Sequence, residues 1–227
     1  MVKRKTANRK SWNSEAVVGQ KEPFTLEQTK RIEVHLLETE NWHDLALQSV
    51  GLDSLLRGGD LLALTVSKVT YPSGKIRTTI PTKQQKTNLP VLPALNDHTK
   101  AYLAYWIMVS GKSPNDSLFT RTKPRKSKPI TRAYYAKIIK SWAVMLGLEP
   151  SEYSTHSMRR SKAVQMYEQG EDIALISKLL GHKSIAVTVE YLGINQKKAE
   201  AASLRHPMVK GSPKIRAELR KQNYPGF

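Results

Sequence analysis

The stretch THSMRR, residues 155–160, holds a histidine and two arginines whose spacing suits the binding of a phosphate. His156 and Arg159 stand three positions apart, so they share one face of a helix that begins near Thr155. The first turn of a helix also offers unpaired backbone N–H groups and the positive end of the helix dipole. Together these groups match a phosphate. Taken alone, however, solvated or salt-bridged arginines are the simpler interpretation.

Five more residues are candidates because of their positions in the sequence. His182 and Tyr191 are nine positions apart in LLGHKSIAVTVEY, and each by itself is typical of a packing residue. Arg57 opens RGGDLLAL, where Asp60 is placed to pair with it or with a neighbouring histidine. Lys86 lies in QQKTN, at the tip of a predicted hairpin, where a lysine is usually solvated. No single one of these residues predicts a function.

The composition favours a soluble protein that binds a polyanion. The 227 residues include 37 Lys and Arg against 19 Asp and Glu, a formal net charge of +18. A charge of this size attracts nucleic acid, with an anionic membrane surface as the alternative. No apolar run is long enough to span a bilayer, and none follows the basic N-terminus as a secretory signal would require. The chain has no cysteine, which excludes disulfides, cysteine zinc sites and a thiol nucleophile.

The elements that position these side chains are mostly helices. Thr25 and Gln28 form a capping box that predicts one helix, and NWHDLALQSVGL fits a second. RGGDLLAL predicts a short helix that leads into a loop. GKIRTTIPTKQQ and LPVLPAL predict two strands joined at KTN, a hairpin in which Pro81 and Pro90 allow only edge or irregular pairing.

Helices also dominate the second half of the chain. Asn96 and Thr131 are predicted N-caps on either side of a basic, proline-rich loop at 111–128. The helices of the last third end at three glycines, Gly170, Gly181 and Gly193. NQKKAEAASL predicts one more helix, followed by a basic and poorly patterned tail. The predicted fold class is therefore mainly α with a small antiparallel β-sheet (α+β).

In chain order, the candidate residues resemble the active-site set of the tyrosine recombinases, the phage integrase family. RGGDLLAL is similar to the family's Arg-x-x-Glu/Asp-Leu-Leu-x-Leu box, HSMRRSKA to its His-x-Leu-Arg-Arg box, and LLGHKSIAVTVEYLG to its Leu-Gly-His…Tyr box. The resemblance runs from about Pro23 to Gly193 and implies the tyrosine recombinase catalytic-domain fold. The catalytic residues that it implies are Arg57, Lys86, His156, Arg159, His182 and Tyr191, with Lys83 and Lys75 as alternatives to Lys86.

The resemblance implies a chemistry in which Tyr191 attacks a DNA phosphodiester. The products are a 3′-phosphotyrosyl link and a free 5′-hydroxyl, and the ester conserves the bond energy so that rejoining needs no ATP. Arg57 and Arg159 would grip the non-bridging oxygens and stabilise the charge that builds on phosphorus. Lys86 would protonate the departing 5′-oxygen.

Two histidines and an aspartate would support this chemistry. His156 would help to take the proton of the tyrosine or bind the phosphate, and His182 would hydrogen-bond a phosphate oxygen. Asp60 would steady the neighbourhood of Arg57 and His156. The guanidinium pair takes the role of a cation, and the sequence has no cluster of carboxylates and histidines at metal-ligand spacing. We therefore expect neither a metal nor a cofactor.

The chain divides into three predicted segments. Residues 1–22 form a basic, flexible arm, 23–194 the catalytic domain, and 195–227 a C-terminal helix and basic tail that docks on a neighbouring subunit. The resemblance implies double-stranded DNA as partner, a homotetramer on two DNA sites, and a cytoplasmic, nucleoid-associated location in a bacterial or phage-encoded system. Because family members commonly carry a separate core-binding domain, a short, catalytic-domain-only member is expected to use an accessory DNA-bending or core-binding helper.

Three other functions stay open at this point. A non-catalytic helix-turn-helix module fits the helices of 155–191 but leaves Tyr191 unexplained. A type IB topoisomerase would use the same chemistry to relax DNA, although the boxes around His156 and His182 look like those of integrases. An RNA-binding protein would account for the charge alone.

Overall fold

The computed structural model of the chain describes residues 20–121, 128–206 and 211–226. Most of the predicted arm, residues 1–19, and part of the predicted basic loop, residues 122–127, lie outside this description. The described residues are mainly helical with a two-stranded antiparallel sheet, so the predicted fold class is confirmed. In none of the described segments is a helix both long and apolar enough to cross a membrane.

The helices follow one another closely along the chain except at two long connections, residues 70–96 and 111–131. In order they are α1 (Leu26–Glu38), α2 (Trp42–Ser54), α3 (Gly58–Leu62), α4 (Val66–Val69), α5 (Asp97–Ser110), α6 (Arg132–Met145), α7 (Thr155–Glu168), α8 (Ile173–Leu180), α9 (Ile185–Tyr191), α10 (Gln196–Arg205) and α11 (Pro213–Lys221). A 3₁₀ helix, Pro150–Glu152, separates α6 from α7. The hairpin lies between α4 and α5.

Polar caps start several helices where the sequence predicts them. Gln28 N donates to Thr25 Oγ1 at 3.2 Å and Thr25 N donates to Gln28 Oε1 at 2.9 Å, which completes the capping box. Asn96 and Thr131 cap α5 and α6, each accepting a hydrogen bond from the backbone N–H three residues further on. A glycine ends α8 as predicted. Gly181 has a φ of 60° and terminates this helix in the left-handed conformation that glycine adopts readily.

The predicted hairpin is confirmed, but its strands are shorter than the sequence suggests. Strands β1 (Thr82–Lys83) and β2 (Pro90–Val91) pair antiparallel, and an isolated bridge joins Thr79 to Ala94. A proline has no N–H to donate to a β-ladder. Pro81, just before β1, and Pro90, the first residue of β2, therefore keep the regular pairing short. The turn between the strands carries Lys86.

The tail after α10 contains a helix that the sequence pattern did not predict. Helix α11 forms there with Ser212 as its N-cap and Pro213 at its first position. Proline suits this position because the first N–H groups of a helix have no partner within the helix. None of the residues of α11 is buried, so the helix adds nothing to the apolar core.

Two apolar clusters hold the fold together. The larger one joins α1, α2, α5 and α6 through fully buried side chains that include Ile32, Leu47, Leu103 and Ile139. The buried members of the smaller cluster are Leu55, Ala163, Ile176, Leu180 and Leu192. Since Tyr191 packs against this smaller cluster, helices α8 and α9 hold it close to α7, the helix that carries His156 and Arg159.

Candidate active site

An open pocket of about 370 Å³ brings together side chains from the first and second halves of the chain. Its lining residues are Arg57, Gly58, Gly59, Asp60, Gln85, Lys86, Arg132, Thr155 and His156. The start of α3, the hairpin turn and the first residues of α6 and α7 therefore meet at one place. Three of the six predicted catalytic residues, Arg57, Lys86 and His156, share this pocket, and Asp60 is its single acidic residue.

Arg57 is the N-cap residue of α3, and its guanidinium is held by the hairpin turn. Its Nη1 donates a hydrogen bond to Gln84 Oε1. The suggested pairing of Asp60 with Arg57 is not formed, because Asp60 Oδ1 instead accepts from the backbone N–H of Gln85 at 2.9 Å. Asp60 Oδ2 is buried and has no hydrogen-bond partner in the described structure. The aspartate thus fixes the turn that carries Lys86.

The two glycines after Arg57 are explained by close packing. A Cβ added to Gly58 would lie 3.1 Å from Thr155 Cβ, and one added to Gly59 would lie 3.1 Å from Arg132 Nη2. Both distances are shorter than ordinary van der Waals contact between such atoms. The glycines therefore allow α3 to begin directly against the first residues of α6 and α7, which places Arg57 beside His156.

Arg159 lies on α7 with only 2% of its surface exposed, and it does not line the pocket. Its Nη2 donates to the carbonyl oxygen of Leu180, the last residue of α8, while its Nε is buried without a hydrogen-bond partner. Burial lowers the pKa of Arg159 to about 10, and the positive charge of Arg57 acts in the same direction. Arg159 therefore remains charged at neutral pH.

His156 lines the pocket at the first turn of α7 and is surrounded by cations. Burial of the ring and then the nearby positive charges, that of Arg159 first, lower the pKa of His156 below its usual value. The other contributing charges are Arg57, Lys86 and Arg132. At neutral pH the imidazole is accordingly neutral and able to accept a proton.

His182 and Tyr191 form the second part of the site. His182 Nδ1 is 2.9 Å from Thr188 Oγ1, and its ring meets the ring of Tyr191 edge to face with 5.3 Å between centroids. Burial, together with the charges of Arg159 and Arg57, lowers the pKa of His182 to about 4. The imidazole is therefore neutral at neutral pH, and its contact with Thr188 fixes the plane of the ring.

The hydroxyl of Tyr191 is buried and has no hydrogen-bond partner in the described structure. The Cζ atom of Arg159 is 5.9 Å from the centroid of its ring. Burial raises the pKa of Tyr191, and the positive charges of Arg159, Arg160 and Arg57 oppose this increase. A buried hydroxyl without a partner is costly, so the site contains a polar group whose interactions are incomplete in the chain alone.

The alternative lysines lie elsewhere. Lys83 lines a separate groove of about 1070 Å³, together with Pro90, Leu175 and Lys178. The backbone carbonyl of Lys75 accepts from Tyr71 N in the turn after α4, and Lys75 does not line the pocket of Arg57. Of the three candidates, Lys86 is the lysine that meets Arg57 and His156.

Sequence reasoning missed three residues that contact the predicted set. Gln84 binds Arg57, Arg132 lines the pocket, and Arg160 Nε donates to the carbonyl oxygen of Tyr191 at 3.0 Å. A local signal existed for Arg132. A cation in the first turn of a helix interacts unfavourably with the positive end of the helix dipole, so its presence there suggests a role outside the helix. Gln84 carries no such local signal, and Arg160 belongs to the HSMRR stretch but received no role of its own there.

Comparison with known proteins places the chain in a family. The phage integrase family model matches residues 23–198. The probable integrase/recombinase YoeC of Bacillus subtilis is 30% identical over 178 residues, which are 78% of this chain and 92% of that protein. The tyrosine recombinase XerD of Rickettsia bellii is 30% identical over 162 residues, 68% of this chain and 53% of that protein. The chain thus spans about half the length of this XerD relative.

Solved structures agree on the fold. The crystal structure of XerA recombinase superposes with a TM-score of 0.65 at 19% identity, covering 83% of this chain and 66% of that one. A post-cleavage complex of the XerH site-specific recombinase gives a TM-score of 0.64 at 22% identity, covering 84% and 55%. The chain belongs to the phage integrase family, that is, to the tyrosine recombinases. Its family consists of DNA strand-transferring enzymes, and the predicted membership is confirmed.

Proposed function

We propose that the chain is a site-specific recombinase or integrase that cuts and rejoins double-stranded DNA through a 3′-phosphotyrosyl intermediate. The observation that supports this most is the convergence of Arg57, Arg159 and His182 on Tyr191, whose hydroxyl is buried without a hydrogen-bond partner in the described structure. Two guanidinium groups, an imidazole and a phenol are the groups needed to hold a phosphate and attack it.

In the proposed reaction the oxygen of Tyr191 forms a bond to phosphorus while the bond from phosphorus to the 5′-oxygen breaks. The tyrosine is protonated at neutral pH because its pKa is raised, so its proton passes to neutral His156 as the attack proceeds. Lys86 gives a proton to the departing 5′-oxygen. Rejoining reverses these steps on a new 5′-hydroxyl, and no ATP is consumed.

Positive charge on the protein stabilises the transition state. Arg57 and Arg159 donate to the non-bridging oxygens, where negative charge accumulates, and His182 donates to a further phosphate oxygen. In this scheme the two guanidinium groups provide the charge stabilisation, and we assign no metal or cofactor to it. Since the pocket of Arg57 is open whereas the hydroxyl of Tyr191 is buried, DNA binding must bring the hydroxyl to the phosphate.

The remaining segments are assigned to DNA and to neighbouring subunits. We assign residues 1–22 to an arm along DNA phosphates, 23–194 to catalysis, and 195–227 to docking in a homotetramer on two DNA sites, with a DNA-bending or core-binding helper. Strong exposure of Leu204 (83%) and Ile215 (61%) supports a docking role for the last segment. We assign to the chain a cytoplasmic, nucleoid-associated location in a bacterial or phage-encoded system. Assembly on paired sites that survives deletion of 195–227 would contradict the docking role.

A trapping experiment tests the central proposal. The chain is incubated with a random-sequence library of nicked duplexes, in which loss of a short fragment after cleavage prevents rejoining. Wild type is expected to form a covalent protein–DNA adduct that migrates as one species on a denaturing gel, and Tyr191→Phe is expected to form none. Absence of an adduct with retained DNA binding would favour a non-catalytic DNA-binding protein. Relaxation of any supercoiled plasmid would favour a topoisomerase.

A further inference from the structure

Gln84 links Arg57 to the backbone carbonyl of Leu180, and Arg159 donates to that same carbonyl. We propose that Gln84 is a positioning residue that holds Arg57 and Arg159 at the separation a phosphate requires. This role rests on the proposed function, because it concerns the transfer of a DNA phosphate to Tyr191. Gln84 lies in the hairpin turn, two residues before Lys86, and only 1% of its surface is exposed.

The amide of Gln84 uses both of its ends. Its Oε1 accepts hydrogen bonds from Arg57 Nη1 and from Thr87 Oγ1, the latter at 2.8 Å. Its Nε2 donates to the carbonyl oxygen of Leu180 at 3.1 Å. Both acceptor positions of the oxygen are thus occupied, and the side chain is fixed in one orientation. A change of this residue would leave buried groups without partners.

The carbonyl of Leu180 is the shared point of the arrangement. It ends α8, where the last carbonyls of a helix have no partner within the helix. It accepts from Arg159 Nη2 as well as from Gln84 Nε2. The chain of contacts therefore runs from Arg57 through Gln84 and the Leu180 carbonyl to Arg159, and it links elements that are far apart in sequence.

Gly181 allows the amide of Gln84 to come close enough to the end of α8 to bind the Leu180 carbonyl. A Cβ at this position would lie 2.8 Å from Gln84 Nε2 and 2.9 Å from Gln84 Oε1, distances that side-chain atoms do not tolerate. The same glycine supplies the left-handed conformation that ends α8. The backbone is thus shaped to admit the amide of Gln84, which indicates a built contact rather than a chance one.

An amide suits this position better than a carboxylate. Two guanidinium groups repel each other, and the charge of Arg57 contributes to the lowered pKa of Arg159. A neutral amide binds one N–H of Arg57 and leaves its charge and its other donors available for a phosphate. A glutamate would pair with Arg57, neutralise it and repel the Leu180 carbonyl. The choice of glutamine therefore keeps both arginines positive and separated.

The test compares Gln84→Met with Gln48→Met. Gln48 is a matched control, since it is 2% exposed and its Nε2 donates to the carbonyl of Thr29 at 2.8 Å, a bond between α2 and α1 whose residues do not line the pocket of Arg57. The readouts are thermal stability, DNA affinity and the single-turnover rate of adduct formation on a duplex that traps the wild type. Gln84→Met is expected to slow adduct formation about 100-fold with DNA affinity retained, because a small misplacement of Arg57 costs this much. Gln48→Met is expected to lose stability only, and Gln84→Glu to be slow as well.

A double-mutant cycle separates positioning from general damage. If Gln84 acts through Arg57, Gln84→Met causes little further loss of rate in an Arg57→Ala background, whereas independent effects multiply. Multiplied losses, or a Gln84→Met chain that reacts at the wild-type rate, would overturn the role of Gln84 alone. A wild-type chain that forms no adduct on any duplex would overturn the proposed function itself.

Discussion

Arg160 Nε donates a hydrogen bond to the carbonyl oxygen of Tyr191 across 3.0 Å. The guanidinium also donates through Nη1 to the carbonyl of Lys21, and Gln20 Nε2 donates to the Tyr191 carbonyl at 2.9 Å. The two consecutive arginines of the HSMRR stretch therefore have different roles at Tyr191. Arg159 faces the ring of Tyr191, and Arg160 fixes the backbone from which that ring projects.

Replacement of Arg160 is therefore expected to release the end of α9. Arg160→Ala removes two hydrogen bonds from a charged donor in a mostly buried position, which should lower the free energy of unfolding by about 2 kcal/mol. Adduct formation should slow as well, because the tyrosine is held less well. Thermal melts and the single-turnover adduct rate measure these effects. Arg31→Ala, which alters an exposed arginine of α1, is the control. Unchanged stability in Arg160→Ala would contradict the anchoring role.

Gly181 offers a second prediction that separates backbone strain from side-chain collision. Gly181→Ala has to adopt a φ of 60° and to push against Gln84, whereas Gly111→Ala adopts the same φ with no atom within 4 Å. Both variants should lose about 1–2 kcal/mol from the left-handed conformation. Only Gly181→Ala is expected to lose more than this and to slow adduct formation. Equal losses in the two variants would show that the contact with Gln84 is easily displaced.

Local signals were enough to predict most helices, and the order of the motifs along the chain suggested the candidate site residues, but neither revealed how these side chains are held. The capping box at Thr25 and the glycine at 181 act within a few residues, so a linear pattern reveals them. Gln84 Nε2 donates a hydrogen bond to the carbonyl of Leu180, 96 positions away in the sequence. No rule based on the spacing of residues predicts such a contact. The start of α11 does have a local signal, with Ser212 as N-cap and Pro213 at the first position. The helix was not predicted because its apolar character is weak.

His182 predicts a pH dependence of stability. Its pKa is about 4 in the folded chain against an ordinary value of 6.5, so between these values the unfolded chain binds a proton that the folded chain does not. The contribution of this group to stability is fully present above pH 6.5 and decreases as the pH falls towards 4. His182→Asn should therefore lose less stability over this interval than wild type does. Urea unfolding at several pH values measures it.

The comparison variant for this series is His98→Asn, which changes an exposed histidine of α5. Its stability is expected to follow the wild-type curve. Because carboxylates also titrate towards pH 4, the decisive quantity is the difference between each variant and wild type. A His182→Asn curve parallel to that of wild type from pH 6.5 to 4 would show that burial of the imidazole does not affect stability in this interval.

Arg132 gives a prediction that joins DNA binding to the acidity of His156. It is an exposed cation of the pocket, and its charge is one of those that lower the pKa of His156. If it binds a DNA phosphate, Arg132→Gln should reduce the dependence of log affinity on log salt by about 1. The same substitution removes a positive charge, so it should raise the pKa of His156.

Because His156 is proposed to accept a proton during the reaction, a change in its pKa should alter the pH dependence of the adduct rate. Neutral His156 accepts the proton of Tyr191, so the adduct rate falls as the pH decreases through the pKa of His156, which in wild type lies below 6.5. In Arg132→Gln this decrease should occur at a higher pH than in wild type. Lys140→Gln, on the exposed side of the same helix, should leave it in place. A rate profile unmoved by Arg132→Gln would separate Arg132 from the catalytic site, because a charge beside the imidazole must affect its proton affinity.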